Sequence, residues 1–192
     1  MERYYQAYEL MGAAYQAIKP VNSVLDIGCG IRPFSNIYAN IHICCEPYGE
    51  YVELLKRQHP SKVILNMTWQ QVVDYIPKQS VDTVLLLDVI EHLEKEESMQ
   101  LLLQTMPLVK QQLIIFTPLG FFEQYHDDGI DAWGLHGGSW QTHRSGWMPA
   151  DFPDLPGGKW EFYICERFHG TTAKGVPLPE PKGAFWAIWN VG

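Results

Sequence analysis

The sequence predicts an α/β domain: a doubly wound, mostly parallel sheet with helices on both faces. Three observations carry this. Short apolar runs alternate with amphipathic stretches along the chain, the pattern of parallel strands joined by crossover helices. The first run, Val21 to Ile27, breaks into a Gly-x-Gly turn at Gly28-Cys29-Gly30. A second run, Ile41 to Cys45, ends at Glu46. A carboxylate about 20 residues beyond the first strand is where an α/β nucleotide site holds the two ribose hydroxyls. Glycine suits such a turn because a Cβ would obstruct both a positive φ and the close approach of a ligand.

The elements follow in order. Tyr4, Ala7, Tyr8, Met11, Tyr15 and Ile18 recur at helical spacing, so residues 2–18 read as one amphipathic helix, ended by Pro20. Residues 21–27 form a strand, and Tyr51, Leu54 and Leu55 place a helix from about Gly49 to Arg57. Lys62 to Leu65 is a short strand; Trp69 to Ile76 is a helix stopped by Pro77. Apart from Asp82 and Thr83, Val81 to Leu87 is apolar, as a strand covered on both faces should be. Met99, Leu102, Leu103 and Met106 give the next helix its core stripe, with a kink or early end expected at Pro107. Leu113 to Thr117 is a further strand, and Trp160 to Arg167 and Ala184 to Asn190 form a final pair. No helix separates that pair, so antiparallel pairing is expected.

Composition bounds the function. The 192 residues suit a single domain, 1–192, with one sizeable core. A net charge of −8 disfavours duplex nucleic acid and anionic membrane surfaces as partners. No apolar run approaches the ~20 residues of a spanning helix, and Met1-Glu2-Arg3-Tyr4 lacks the plan of a signal peptide. Four cysteines show no metal-binding spacing, and reduced thiols in a cytoplasmic protein are the simplest expectation.

The turn also limits the ligand. A dinucleotide site wants a third small residue three positions after Gly30, where this chain has Pro33; proline can begin a helix, but it is not the Gly or Ala that lets the helix pack against the strand. That disfavours an NAD enzyme, and no Gly-Lys-Ser/Thr follows to make a phosphate-binding loop. An adenosine without a phosphate chain remains.

From these residues onward the chain resembles the class I S-adenosylmethionine-dependent methyltransferases, small-molecule type. Val24-Leu-Asp-Ile-Gly-Cys-Gly30 is similar to their first motif and Glu46 to their ribose-binding acid. Val81 to Leu93, ending Asp-Val-Ile-Glu-His-Leu, resembles their fourth-strand motif, and Gln112 to Pro118 their fifth strand. The resemblance covers about residues 20–120 clearly. It implies a Rossmann-like sheet of seven strands, with the ligand at the carboxyl ends of the strands. It implies S-adenosylmethionine as cofactor and methyl transfer as activity. Gly28, Cys29 and Gly30 would lie against the cofactor's amino-acid portion, and Asp88 and Val89 near the methionine portion and sulfonium. Asp26 would accept hydrogen bonds from turn amides, or reach the cofactor ammonium through water. Where the family commonly has an Asp for the adenine amino group, this chain has Met67 followed by Thr68. A methionine against the adenine face, or a backbone amide, would serve instead.

Residues 118–149 show no periodicity and leave the sheet at its ligand end. Loops of this length in compact domains are usually functional. Tyr125, Trp133 and Trp140 are its candidate pocket walls, against the alternative that its aromatics merely cover a sheet edge. Arg32 is either a binder of a substrate anion or an ordinary exposed arginine. His143, then His126, are the candidate general bases, since histidine titrates near neutrality. Glu91 and His92 read as a helix start and a packing residue. His126, Asp127 and Asp128 cannot all converge on one ion from an extended chain, so no metal site is expected. The expected partner is a small molecule or sugar; the alternative is a non-catalytic nucleotide-binding or regulatory domain.

Overall fold

The computed structural model describes residues 1–192. Its elements are β1 (Glu2–Tyr4), α1 (Ala7–Ala17), β2 (Val21–Ile27), β3 (Ala39–Cys45), α2 (Gly49–Gln58), β4 (Val63–Leu65), α3 (Trp69–Tyr75) and β5 (Val81–Leu87). They continue with α4 (Lys95–Thr105), β6 (Val109–Leu119), β7 (Gly158–Thr171) and β8 (Pro177–Val191). All eight strands form one sheet in the order β1-β7-β8-β6-β5-β2-β3-β4. The five strands from β2 to β6 are parallel, and β8 runs antiparallel to both β6 and β7. Strand order reverses between β2 and β5, so a crevice opens at their carboxyl ends.

The central strands are buried on both faces, and their alternation feeds two cores. Leu25, Val84, Leu86 and Ile115 pack on the side of α3 and α4. Val24, Leu85 and Ile114 pack on the side of α1, against Leu10 and Ala14. The Pro107 expectation holds: α4 ends at Thr105 and a 3-10 turn spans Met106–Leu108.

Two features depart from the sequence reading. The sheet has eight strands, because Glu2–Tyr4 is not helical but pairs in parallel with β7. The Gln6 backbone is extended, and its N–H donates to Glu9 Oε2 at 3.1 Å, which starts α1 at Ala7. The second departure lies after the glycine turn. Residues 28–38 contain no helix; Phe34 and Ile37 instead pack into the core beneath α1. Pro33 therefore opens no helix, and the β2–β3 crossover is an irregular loop.

The segment after β6 lacks helix and strand up to a 3-10 turn at Pro149–Asp151. It is nonetheless internally bonded. Asp131 Oδ1 accepts the amides of Trp133 (2.8 Å) and Leu135 (3.0 Å), and Asp131 also binds the Tyr51 hydroxyl. Trp147 is completely buried.

Candidate functional site

Five strand ends converge on the crevice: Gly28 after β2, Glu46 after β3, Thr68 beyond β4, Asp88 after β5 and Thr117 near the end of β6. Two cavities adjoin there. The smaller, of about 260 Å³, has Gly28, Glu46, Thr68, Asp88, Val89 and Trp140 among its walls. The larger, of about 600 Å³, is walled by Asp26, the glycine turn, Arg32, Glu91, His92, Trp133 and His143, among others. Gly28, Asp88, His92 and Gln141 belong to both.

The glycines are required by geometry. Gly28 has φ +69° and Gly30 φ +55°, the left-handed region that favours glycine. A Cβ at Gly28 would stand 2.8 Å from Val89 Cγ2, and one at Gly30 would stand 2.7 Å from the Trp133 ring. Trp133 thus lies directly over the turn.

Glu46 is 4% exposed. Its Oε2 accepts the Gly30 amide at 3.0 Å and its Oε1 the Tyr48 amide at 2.9 Å. Each oxygen keeps a second lone pair, so the carboxylate can still accept two hydroxyls. Burial pushes its pKa up to about 7, against the lowering effect of the two amides. Asp26 Oδ2 accepts the Phe34 amide at 3.0 Å, the turn-amide role expected of it, and faces His42 Nε2 at 3.2 Å. Burial alone would lower the His42 pKa, but the hydrogen bonds to Asp26 and Cys44 carry it above its ordinary value.

Asp88 is a non-glycine residue at φ +51°, a strained conformation of the kind found at functional sites. The residue keeps exposed surface, but the crowding around its carboxyl desolvates it and raises its pKa to about 6. Its neighbour Glu91 is 2% exposed; burial and then the Asp88 charge push its pKa well above the usual carboxylate range. Thr117 Oγ1 donates to Glu91 Oε2 at 3.0 Å, while Glu91 Oε1 has no hydrogen-bond partner. Burial first, then the nearby His143, lowers the His92 pKa to about 3; burial also lowers that of His143.

The long loop is laced to the turn that carries these groups. The amides of Arg144 and Ser145 both donate to the Glu91 carbonyl, at 2.7 and 3.1 Å. Ser145 Oγ donates to the Ile90 carbonyl at 3.0 Å, and Arg144 Nη1 to that of His92. His92 Nδ1 meets the Thr142 carbonyl at 3.2 Å. This lacing brings His143 beside His92, with ring centroids 4.9 Å apart.

Other sequence-predicted residues sort by position. Cys29, Arg32 and Trp133 wall the larger cavity; Val89 and Trp140 wall the smaller. Thr68 caps α3 and also borders the smaller cavity. Met67 packs against the core, and its carbonyl accepts Cys45 Sγ at 3.2 Å. Tyr125 is exposed and borders neither cavity; His126 is buried outside both, its Nδ1 on the Ile130 carbonyl at 2.9 Å. Sequence reasoning passed over His42 and the meeting of Glu91, His92 and His143. Strand alternation puts His42 on the Asp26 face and was available as a signal. The meeting of the other three depends on an irregular loop and left none.

No protein-family model and no curated protein matches the sequence. Solved structures do match. A SAM dependent methyltransferase from Archaeoglobus fulgidus superposes with TM-score 0.59 at 16% identity, covering 95% of this chain and 93% of that one. The N-methyltransferase NodS from Bradyrhizobium japonicum WM9, in complex with S-adenosyl-l-homocysteine, gives TM-score 0.59 at 12% identity over 96% and 85%. The small RNA methyltransferase HEN1 gives TM-score 0.59 at 14% identity, covering 97% of this chain and 25% of that one. The sheet order, the antiparallel end and these superpositions agree: the chain has the Rossmann-like fold of the class I S-adenosylmethionine-dependent methyltransferases.

Proposed function

We propose that this chain is an S-adenosylmethionine-dependent methyltransferase acting on a small organic or sugar-type acceptor. The observation that carries the proposal is the junction of the two cavities at Gly28 and Asp88. In this reading the smaller cavity takes the adenosine, with Glu46 on the ribose hydroxyls. Gly28 and Gly30 accommodate the amino-acid portion, and the sulfonium lies where the cavities meet. The larger cavity then presents an acceptor O, N or C atom in line with the S–CH₃ bond. The nucleophile forms its bond to the methyl carbon as the C–S bond breaks, leaving S-adenosylhomocysteine. The enzyme's contribution is chiefly to align the two partners.

The larger cavity favours a small acceptor. Phe34, Phe116, Phe122, Trp133 and Trp186 give it aromatic walls, and Arg32 is the only lysine or arginine on them. A net charge of −8 disfavours nucleic acid, whose phosphates want a basic face. Of the two expected bases, His143 borders this cavity and His126 does not.

Calorimetric titration with S-adenosylmethionine, S-adenosylhomocysteine and NAD tests the cofactor. Saturable binding of the first two alone supports the reading; binding of NAD alone overturns it. Transfer of labelled methyl from S-adenosylmethionine, screened over phenols, amines, sugars and a short RNA, tests the acceptor class. Label on the RNA alone would overturn the small-molecule part. Cofactor binding with no transfer to any acceptor would leave a non-catalytic binding domain.

A further inference from the structure

The larger cavity holds a cluster that methyl transfer as described leaves unused. Ligand-capable atoms of Glu91, His92 and His143 all lie within 4.8 Å of one another. Glu91 supplies a second, independent observation. It is 2% exposed, yet Oε1 has no hydrogen-bond partner in the protein. An unpartnered carboxylate oxygen in such a place, beside the Asp88 carboxyl, is costly unless a proton or a cation meets it. Arg32 is the only lysine or arginine on the cavity walls, and it lies on the glycine-turn side.

The imidazoles are in the form that binds metal. A carbonyl can only accept, so His92 Nδ1 must donate to the Thr142 carbonyl and His143 Nδ1 to the Phe122 carbonyl. Each ring is thereby fixed with a lone pair on Nε2. Metal-ligating histidines typically tie their second nitrogen to a backbone carbonyl or carboxylate in this way. Glu91 is oriented similarly, through the Thr117 hydroxyl on its other oxygen at 3.0 Å. The hydrogen bonds from Arg144 and Ser145 to the turn at Ile90–His92 hold the two halves of the cluster together.

We infer that Glu91, His92 and His143 form a three-ligand site for a borderline divalent cation such as Zn²⁺ or Co²⁺, with an open coordination position toward the larger cavity. Two imidazoles and one carboxylate suit such ions better than Mg²⁺ or Ca²⁺, which prefer oxygen donors. Three protein ligands and a free position describe a catalytic rather than a structural site. Ligands about 2.0–2.1 Å from a tetrahedral ion stand roughly 3.4 Å apart, so the side chains close by about an ångström around it. The open position takes an acceptor oxygen, a role that rests on the methyltransferase reading; binding of the ion does not. A coordinated hydroxyl is acidified and fixed in place, and His143 is then a ligand rather than the general base. The sequence expectation of no metal, drawn from His126, Asp127 and Asp128, is thereby revised at a different set of residues.

The test uses the full chain, stripped with a chelator and titrated with CoCl₂, then with ZnCl₂. One Co²⁺ per chain is expected, with the intense visible absorption of a low-coordinate site bearing imidazole, displaced by Zn²⁺. Glu91→Gln and His143→Ala should each weaken Co²⁺ binding by about a hundredfold or more. A cobalt spectrum that stays that of the aqueous ion overturns the inference, as does unchanged affinity in folded variants. The spectrum of the unsubstituted chain decides the matter even where a variant fails to fold. A parallel titration with S-adenosylhomocysteine separates the two readings. Binding of that compound without Co²⁺ ligation removes the metal site and leaves the methyltransferase; Co²⁺ ligation without it keeps the site and removes the acceptor role.

Discussion

Glu46→Gln is the substitution for which the structure gives a sign and a size. The carboxyl is buried, and its pKa in the folded chain is about 7, against 4.5 for the ordinary group. A raised acid holds its proton in the folded state after the unfolded chain has released it. Stability is therefore fully present below about pH 4.5 and falls as pH rises toward 7. The full difference corresponds to roughly 3 kcal/mol at about 1.4 kcal/mol per pKa unit, of which about 2 kcal/mol develops between pH 5 and 7.5. Glutamine cannot ionise, so it removes this slope. It also offers a single acceptor oxygen where Glu46 serves two amides, at 3.0 and 2.9 Å. The variant should then be less stable than the native chain at pH 5, by about 1–2 kcal/mol for one unsatisfied buried amide. The gap should close, or reverse, by pH 7.5. Urea unfolding of both proteins at pH 5, 6 and 7.5, monitored by tryptophan fluorescence, reads this directly. A gap that is constant, or that widens with pH, would refute the assignment of a buried, proton-retaining Glu46. Ribose hydroxyls donate to the ionised form, so S-adenosylhomocysteine should bind the native chain about twentyfold more weakly at pH 5.5 than at pH 7.5. The glutamine variant should show a flat profile.

Further outcomes follow from the same geometry. Gly28→Ala places a Cβ against Val89 in left-handed backbone; it should destabilise the fold by about 1–3 kcal/mol and abolish measurable S-adenosylhomocysteine binding in calorimetry. Asp131→Ala removes the acceptor of the Trp133 and Leu135 amides and of the Tyr51 hydroxyl. Limited proteolysis should then cleave within residues 120–148 at low protease concentration, and cleavage at the native rate would show that Asp131 does not order the loop. Leu85→Ala opens a cavity at a fully buried position of β5 and should cost about 2–5 kcal/mol in chemical unfolding, with little change in cofactor affinity.

The parts of this molecule that were readable in advance are those set by local pattern. Val81–Leu87 reads as a doubly covered strand because Val84 to Leu87 run apolar without alternation, and Gly28, Glu46 and Asp88 stand out because each ends such a run. The parts that were not readable depend on distant partners. Glu2–Tyr4 carries a weak helical pattern, but the free edge of β7 claims it as a strand. The absence of a helix after Gly30 reflects the packing of Phe34 and Ile37 under α1, a tertiary choice that a Pro33 at a plausible helix start did not reveal. Glu91 and His92 are adjacent in a turn, whereas His143 lies fifty residues on in a segment without periodicity. Only the hydrogen bonds of residues 142–145 to the Ile90–His92 turn bring them together.

The helix-free crossover at residues 28–38 bears on how such a site would tell ligands apart by charge. Phosphate-binding α/β sites rely on a helix whose positive end points at the ligand. No such end follows this glycine turn. Around it stand Asp26, Glu46, Asp88 and Glu91, all carboxyl groups. A pyrophosphate finds one cation there, Arg32, against four carboxyl groups, a poorer match than a sulfonium makes. In the proposed reaction that sulfonium becomes an uncharged thioether, so the attraction that gathers the substrate is absent for the product.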